Sequence, residues 1–414
     1  MPHRHASFAG LVLAVVTLLG ITAPAAFGSS VSRPPRAYFG MHYSAVGHGR
    51  SWPDAPIGLV RLWDTGTTWK DVQPARDRWD FSVLDRAVAN ARAHHAQIAL
   101  VLGQTPLWAS SRPMGLGDYN GPGVAAPPAS VKDWWTYAHA VAIRYRGRIA
   151  AYEIWNEVNL PGYFSGSIAQ MVRLTRIGRD AVKRADASAL VLSPSVTLRG
   201  GTSYLEAFAR AGGYRYSDVV NIHGYPLPEG GPETGVAMID RARRAISSYP
   251  GGRNPLWNTE MNFGLPTRAS GGTATKMSLD RQAAYVVRAY LLNWSHGVQR
   301  MVWYDWGAPP FEGVQMSAGG PRAAPPGQAF GTVVDWMRGH VDPCRVGPNG
   351  VYRCTVRYAT HHMGSIRWTP SGTRITTAPQ GAFVRRDIFG HSTSMTPGAR
   401  LEVGYSPVLF EYRR

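Results

Sequence analysis

Two glutamates close two short apolar segments of this chain, and their neighbours suit acid–base and nucleophilic work. The first is Glu157 in Ala151-Tyr152-Glu153-Ile154-Trp155-Asn156-Glu157-Val158-Asn159-Leu160, where a buried-strand pattern gives way to a polar, turn-prone segment. The second is Glu260, which closes the distant segment Pro255-Leu256-Trp257-Asn258-Thr259-Glu260. Carboxyls just past strand ends lie on the face of an α/β barrel that opens to substrate. Cleaving a glycosidic bond needs such a pair: one carboxyl protonates the departing oxygen and the other attacks or stabilises the sugar cation. Glu153, four residues before Glu157, falls inside the strand and reads as a support of the barrel interior.

Positioning two such residues takes a repeated scaffold, and the periodicity supplies one. Apolar strand patterns are expected at 36–43, 57–64, 97–102, up to Glu157, 189–196, 218–223, 255–260 and 298–306. Helical spacing is expected at 82–95, 130–145, 167–185, 204–211, 236–248, 279–295 and 328–337. Ser82 with Asp85, and Ser167 with Gln170, have the spacing of capping boxes. Eight strands alternating with helices predict an α/β fold, a (β/α)8 TIM barrel over residues 36–339. The long Gly- and Pro-rich segments 112–128, 227–234, 263–275 and 307–327 each follow a strand, so elaboration is expected on the face that carries both glutamates.

From about Gly339 the pattern turns to short alternating segments, which predict a small antiparallel β-sandwich module over 340–414. Its expected role is structural, because a single Trp368 makes a poor platform for sugar. Cys344 and Cys354 flank the turn-prone Gly347-Pro348-Asn349-Gly350 and are expected to form a disulfide that closes a hairpin.

Residues 1–28 carry His3-Arg4-His5, an apolar run from Phe8 and a small-residue stretch at Ala23-Pro24-Ala25-Ala26, the layout of a signal peptide. The chain is therefore expected to be secreted or held at the cell envelope, with an uncleaved N-terminal anchor as the alternative and no stable membrane insertion after cleavage. The net charge of +18 is carried almost wholly by arginine, since Lys70, Lys132, Lys183 and Lys276 are the only lysines. Either a basic solvated surface or attraction to an anionic or cell-wall glycan would account for it. No basic tract has the spacing of a nucleic-acid motif, and His94-His95 and His361-His362 are adjacent pairs, a poor arrangement for a metal. No nucleic acid, metal or cofactor is expected, and the chain is read as a monomer.

Tyr152-Glu153-Ile154-Trp155-Asn156-Glu157, with Trp257-Asn258-Thr259-Glu260, resembles the clan A retaining glycoside hydrolases, closest to glycoside hydrolase family 39 and cellulase-like barrels, over about Tyr38 to Gly339. The resemblance implies a general acid/base at Glu157, a nucleophile at Glu260, a tyrosine donor to the nucleophile at Tyr225 and a holder of the sugar 2-hydroxyl at Asn156. Arg61 is expected to keep Glu260 ionised. Trp306 is the expected stacking floor under the reacting sugar, with Trp303 as the competing choice. His42, His223, Trp69 and Trp108 line either the cleft or the core. The family commonly has proline after the acid/base, whereas Val158 stands here, which leaves the geometry of that loop open. The expected reaction is retaining β-glycoside hydrolysis of an oligo- or polysaccharide; a non-catalytic glycan-binding barrel and a transglycosylase are the rivals.

Overall fold

The structure, a computed structural model, describes residues 32–117, 121–226, 230–263, 277–307 and 313–413. The expected signal segment and parts of the four long loops lie outside these.

Eight strands build the central sheet: β1 (Phe39–His42), β2 (Leu59–Leu62), β3 (Gln97–Leu102), β4 (Ala151–Ile154), β5 (Leu190–Leu192), β6 (Val220–His223), β7 (Leu256–Met261) and β8 (Val298–Trp303). All pair in parallel in the order β5-β4-β3-β2-β1-β8-β7-β6. The open ends meet at Leu192 and Val219, where Ser193 N–H donates to the Val219 carbonyl at 2.9 Å, so the sheet closes into the expected barrel. Around it run α1 (Trp69–Val72), α2 (Ser82–Ala93), α3 (Val131–Arg144), α4 (Ile168–Ala185), α5 (Ser203–Arg210), α6 (Gly231–Ile246), α7 (Leu279–Ser295) and α8 (Pro325–Trp336). The segment 43–58 joins β1 to β2 without an α-helix.

The capping expectations divide. Ser167 and Gln170 form the reciprocal box at the start of α4, with Ser167 N–H donating to Gln170 Oε1 at 2.8 Å and Gln170 N–H to Ser167 Oγ at 3.2 Å. Ser82 and Asp85 do not. Asp80 Oδ1 takes the Ser82 N–H instead, and Asp85 is drawn off to Arg144 and Tyr145 of the neighbouring helix end.

Strand periodicity sorts the barrel interior into two layers. Leu59, Ala99, Ala151, Leu192, Val219, Trp257 and Val302 pack together as an apolar plug. Two residues further along the same strands, hence on the same face, come Arg61, Glu153, Asn221, Thr259 and Tyr304. A dry plug therefore underlies a polar floor, and the chemistry-bearing residues rise from that floor.

The C-terminal module is a seven-stranded antiparallel sheet facing a two-stranded ribbon, as expected for a small sandwich. The sheet runs β10 (Arg345–Val346), β11 (Tyr352–Ala359), β12 (His362–Trp368), β17 (Val408–Arg413), β14 (Ala382–Arg386) and β15 (Ser392–Ser394), with β9 (His340–Val341) also paired to β11. The ribbon is β13 (Arg374–Thr377) with β16 (Arg400–Val403). Cys344 and Cys354 form the expected disulfide between the lead-in to β10 and β11.

One face of the sheet, through Cys354, Val356, Ile366, Trp368 and Leu409, belongs to the same core cluster as the barrel helices. Trp368 is fully buried, stacked on Tyr352 with its indole N–H donating to Glu233 of α6 at 2.8 Å. It fastens the module to the barrel and presents no platform to sugar.

Candidate active site

Arg61 organises the polar layer. It is fully buried, and its five N–H groups all have acceptors: two go to Glu153 at 2.7 Å each, two go to His42 Nε2 at 2.9 Å and Glu260 Oε2 at 2.8 Å, and the last goes to Asn156 Oδ1 at 2.7 Å. A buried guanidinium is tolerable only with such compensation. The fork–fork pairing with Glu153 fixes its plane, and its remaining donors set Glu260 and Asn156. Because Asn156 spends Oδ1 on Arg61, its amide donors are left for the cleft.

Glu260 owes its direction to a bulge. Ile222 stands opposite Asn258, but His223 stands opposite Glu260, so β7 spends one extra residue here. Thr259 can then reach the barrel interior, donating to Asn221 Oδ1 at 2.7 Å, while the next residue, Glu260, also turns inward to Arg61. Strict alternation would have sent one of them outward. Tyr225 donates to Glu260 Oε1 at 2.5 Å. The chain reaches that point through Gly224, whose N–H bonds Asn258 Oδ1 at 2.9 Å and where an added Cβ would lie 2.9 Å from Asn258 Nδ2.

Glu157 sits on the loop beyond β4, and that loop is tied to the end of β5. Glu157 N–H donates to Ser195 Oγ at 3.0 Å, Val158 N–H to the Ser195 carbonyl at 3.1 Å, and Asn159 exchanges two 3.0 Å bonds with the Thr197 backbone. The Val158 bond answers the question of the missing proline, which would have no N–H to give. Trp155 (φ 68°) and Glu157 (φ 41°), with Asp64 (φ 58°) after β2 and Gln104 (φ 60°) after β3, adopt left-handed backbone conformations on the same barrel face. Such strain collects where surrounding structure holds a residue for a purpose.

A carboxyl oxygen of Glu157, one of Glu260 and a ring nitrogen of His223 all lie within 4.8 Å of one another. His223 Nδ1 is 3.0 Å from Glu157 Oε1 and 3.5 Å from Glu260 Oε2. This trio has the residue types of a cation site, yet both Glu260 oxygens already accept, from Arg61 and Tyr225, and the Arg61 charge 2.8 Å away opposes a second cation. The donor set fits an internal ion pair better than a metal.

Burial raises both carboxyls and lowers the imidazole. Desolvation pushes the Glu157 carboxyl up to about 7, reinforced by Glu153 and Asp64 and opposed by Arg61 and the Thr197 hydroxyl. Burial also raises Glu260, with Glu157 adding to the rise and the Arg61 charge and the Tyr225 hydroxyl pulling against it. His223 is driven down to about 4, by desolvation first, so its imidazole is neutral beside Glu157. His42 is likewise held well below its ordinary value by burial and by Arg61.

Of the expected site residues, Glu157, Glu260, Arg61, Asn156, His223, Tyr225 and His42 come together. Trp69 is core, and Trp108 packs edge-on against it beneath the Arg76 guanidinium, its indole N–H on the Gln73 carbonyl at 2.9 Å. The stacking floor needs correction. Trp303 is fully buried against Phe263 and Tyr290 of α7, and Trp306 is buried with its N–H on the Gly320 carbonyl. Neither offers a face to a sugar. Tyr304 between them is partly open, edge-on to His42 at 4.7 Å, and donates to Asp64 Oδ2 at 2.8 Å. The signal was the period of two, which sends Tyr304 to the side opposite Trp303.

No family model matches the sequence, and no curated protein matches it by sequence comparison. The fold does have counterparts among solved structures. A family 39 glycoside hydrolase from the gut symbiont Bacteroides cellulosilyticus WH2 is 17% identical with a TM-score of 0.63, over 86% of this chain and 76% of that one. A GH39 β-xylosidase from Caulobacter crescentus is 16% identical with a TM-score of 0.64, over 92% and 98%. A glucosidase from Croceicoccus marinus is 13% identical with a TM-score of 0.65, over 94% and 98%. What the chain shares with them at these identities is the fold. The expected likeness to the family 39 architecture is met at that level.

Proposed function

We propose that this protein is a retaining β-glycoside hydrolase acting on an oligo- or polysaccharide, with Glu260 as nucleophile and Glu157 as general acid/base. The observation that carries the reading is the approach of two carboxyls from β4 and β7 to within 4.8 Å, one held by a cation and a phenol, the other raised to about 7 by burial. Retention requires the two groups about 5–5.5 Å apart, whereas inversion needs a wider gap that admits water. Glu260 attacks the anomeric carbon as Glu157 gives its proton to the departing oxygen. Glu157 then takes a proton from water, whose oxygen releases the sugar from Glu260. Asn156 holds the 2-hydroxyl, an interaction that strengthens at the transition state, and Tyr304 lies under the ring. The names of the solved counterparts, a β-xylosidase and a glucosidase among them, support xylosides and glucosides as the first substrates to try.

The test is a screen of aryl β-glycosides followed by two variants. Glu260→Gln is expected to abolish turnover, and Glu157→Ala to release an activated aryl leaving group in a burst and then stall as a glycosyl-enzyme. Ordinary turnover by the Glu260 variant would end this assignment. We further propose export, with the mature chain beginning near residue 29; mass determination of protein recovered from the culture medium checks it.

A further inference from the structure

The face of the module turned away from the barrel carries a buried guanidinium of its own. Arg367 on β12 donates from Nε to Ser365 Oγ at 3.0 Å and from Nη1 to Thr376 Oγ1 at 2.7 Å and the Thr377 carbonyl at 2.6 Å, with its charge over the Phe410 ring at 5.2 Å. Every one of these partners is neutral, and no described carboxylate pairs with it.

Its cross-strand neighbours add to the charge. Arg345, Arg353 and Arg367 stand opposite one another across β10, β11 and β12. Like charges in direct register oppose sheet pairing, so a row of three is a cost that folding alone does not explain. Burial, with Arg353 beside it, pushes the Arg367 guanidinium down to about 10. Beside this row is a cavity of about 490 Å³, lined among others by Arg353, Arg367, Arg413, Thr355, Gln380 and Tyr412. Its lining holds no acidic residue and none from the barrel.

We propose that this cavity binds an acidic polysaccharide, taking the oxyanion of one sugar unit, a carboxylate or a phosphate, onto Arg353 and Arg367. A bare inorganic ion would leave most of the volume unfilled, whereas a short run of pyranose units matches its size and finds polar partners for its hydroxyls at Thr355, Gln380 and Tyr412. The guanidinium forks give the planar two-point contact that such groups favour. The site tethers the protein to an anionic polymer independently of the barrel's chemistry, so it stands or falls apart from the hydrolase reading.

Affinity electrophoresis of the full chain tests it, with polygalacturonate as the carboxylate probe, phosphomannan as the phosphate probe and dextran as the neutral control. Retardation by either acidic polymer is expected, and which one retards identifies the oxyanion. Arg353→Glu should weaken that retardation at least tenfold, and Arg413→Ala several-fold, with aryl-glycoside turnover unchanged. Arg92→Glu, the same change of charge on exposed α2, should alter it less than twofold. Equal losses in Arg353→Glu and Arg92→Glu, unaltered binding in Arg353→Glu, or no retardation of the wild-type chain by either acidic polymer would overturn the proposal.

Discussion

Two buried arginines, Arg61 in the barrel and Arg367 in the module, solve the same problem in opposite ways. Arg61 meets two carboxylates, an amide oxygen and an imidazole, and every N–H is used within the fold. Arg367 meets hydroxyls, a carbonyl and an aromatic face, with another arginine opposite it. The first charge is neutralised internally and becomes a rigid fixture on which Glu260 and Asn156 are hung. The second remains electrically unsatisfied, a state suited to receiving an anion from outside. The counter-charge that the fold supplies lets Arg61 position other groups, and its absence at Arg367 is what the proposed recognition rests on.

The comparison breaks first at the arginines themselves. Arg61→Met should cost about 3–5 kcal/mol in urea unfolding, because it strands Glu153 and Glu260 as buried unpaired charges. Arg367→Met leaves no carboxylate behind and should cost less than about 2 kcal/mol. Equal costs would remove the distinction.

Tyr225→Phe removes the 2.5 Å donor to Glu260 without touching Arg61. A hydrogen bond to a charged group contributes about 1.5–3 kcal/mol, so kcat/KM should fall roughly 10- to 100-fold while the unfolding midpoint barely moves. A large loss of stability instead would make Tyr225 a structural prop.

The pH profile sharpens the barrel side. With Glu157 at about 7, its proton is available below that pH, and kcat/KM should fall about tenfold per unit well above it. Glu157→Gln should remove this alkaline limb on an activated substrate. The linked stability has a fixed sign: folding favours the protonated acid, so the contribution is full below the ordinary carboxyl range and is lost as pH rises through about 7. An alkaline limb that survives the substitution would transfer the titration to another group. The smallest effect belongs to the module, where Arg353→Glu turns a like-charge row into alternating charge and should raise stability by less than about 1 kcal/mol.

Much of the barrel could be read along the chain because its elements are local. A run such as Ile98-Ala99-Leu100-Val101-Leu102 makes a strand buried on both faces, and Ser167 with Gln170 starts a helix wherever it lies. The tryptophans were misjudged because hydrophobic payload and exposure are different properties. Trp303 and Trp306 have the surface a sugar would stack on, but packing consumed it, and the more polar Tyr304 kept an open side. Likewise Asp85 had the spacing to cap α2, but a tertiary pairing with Arg144 outbid the local one.

The amino-acid sequence by itself determined the alternation of strand and helix, the two glutamates at strand ends and the disulfide pair, since each depends on periodicity or spacing of a few residues. Only the tertiary structure decided that a one-residue bulge turns Glu260 onto Arg61, that Ser195 and Thr197 hold the Glu157 loop, and that three arginines from three strands share one row. Those outcomes depend on register between segments far apart in the chain, and a shift of one residue reverses the face on which every side chain appears.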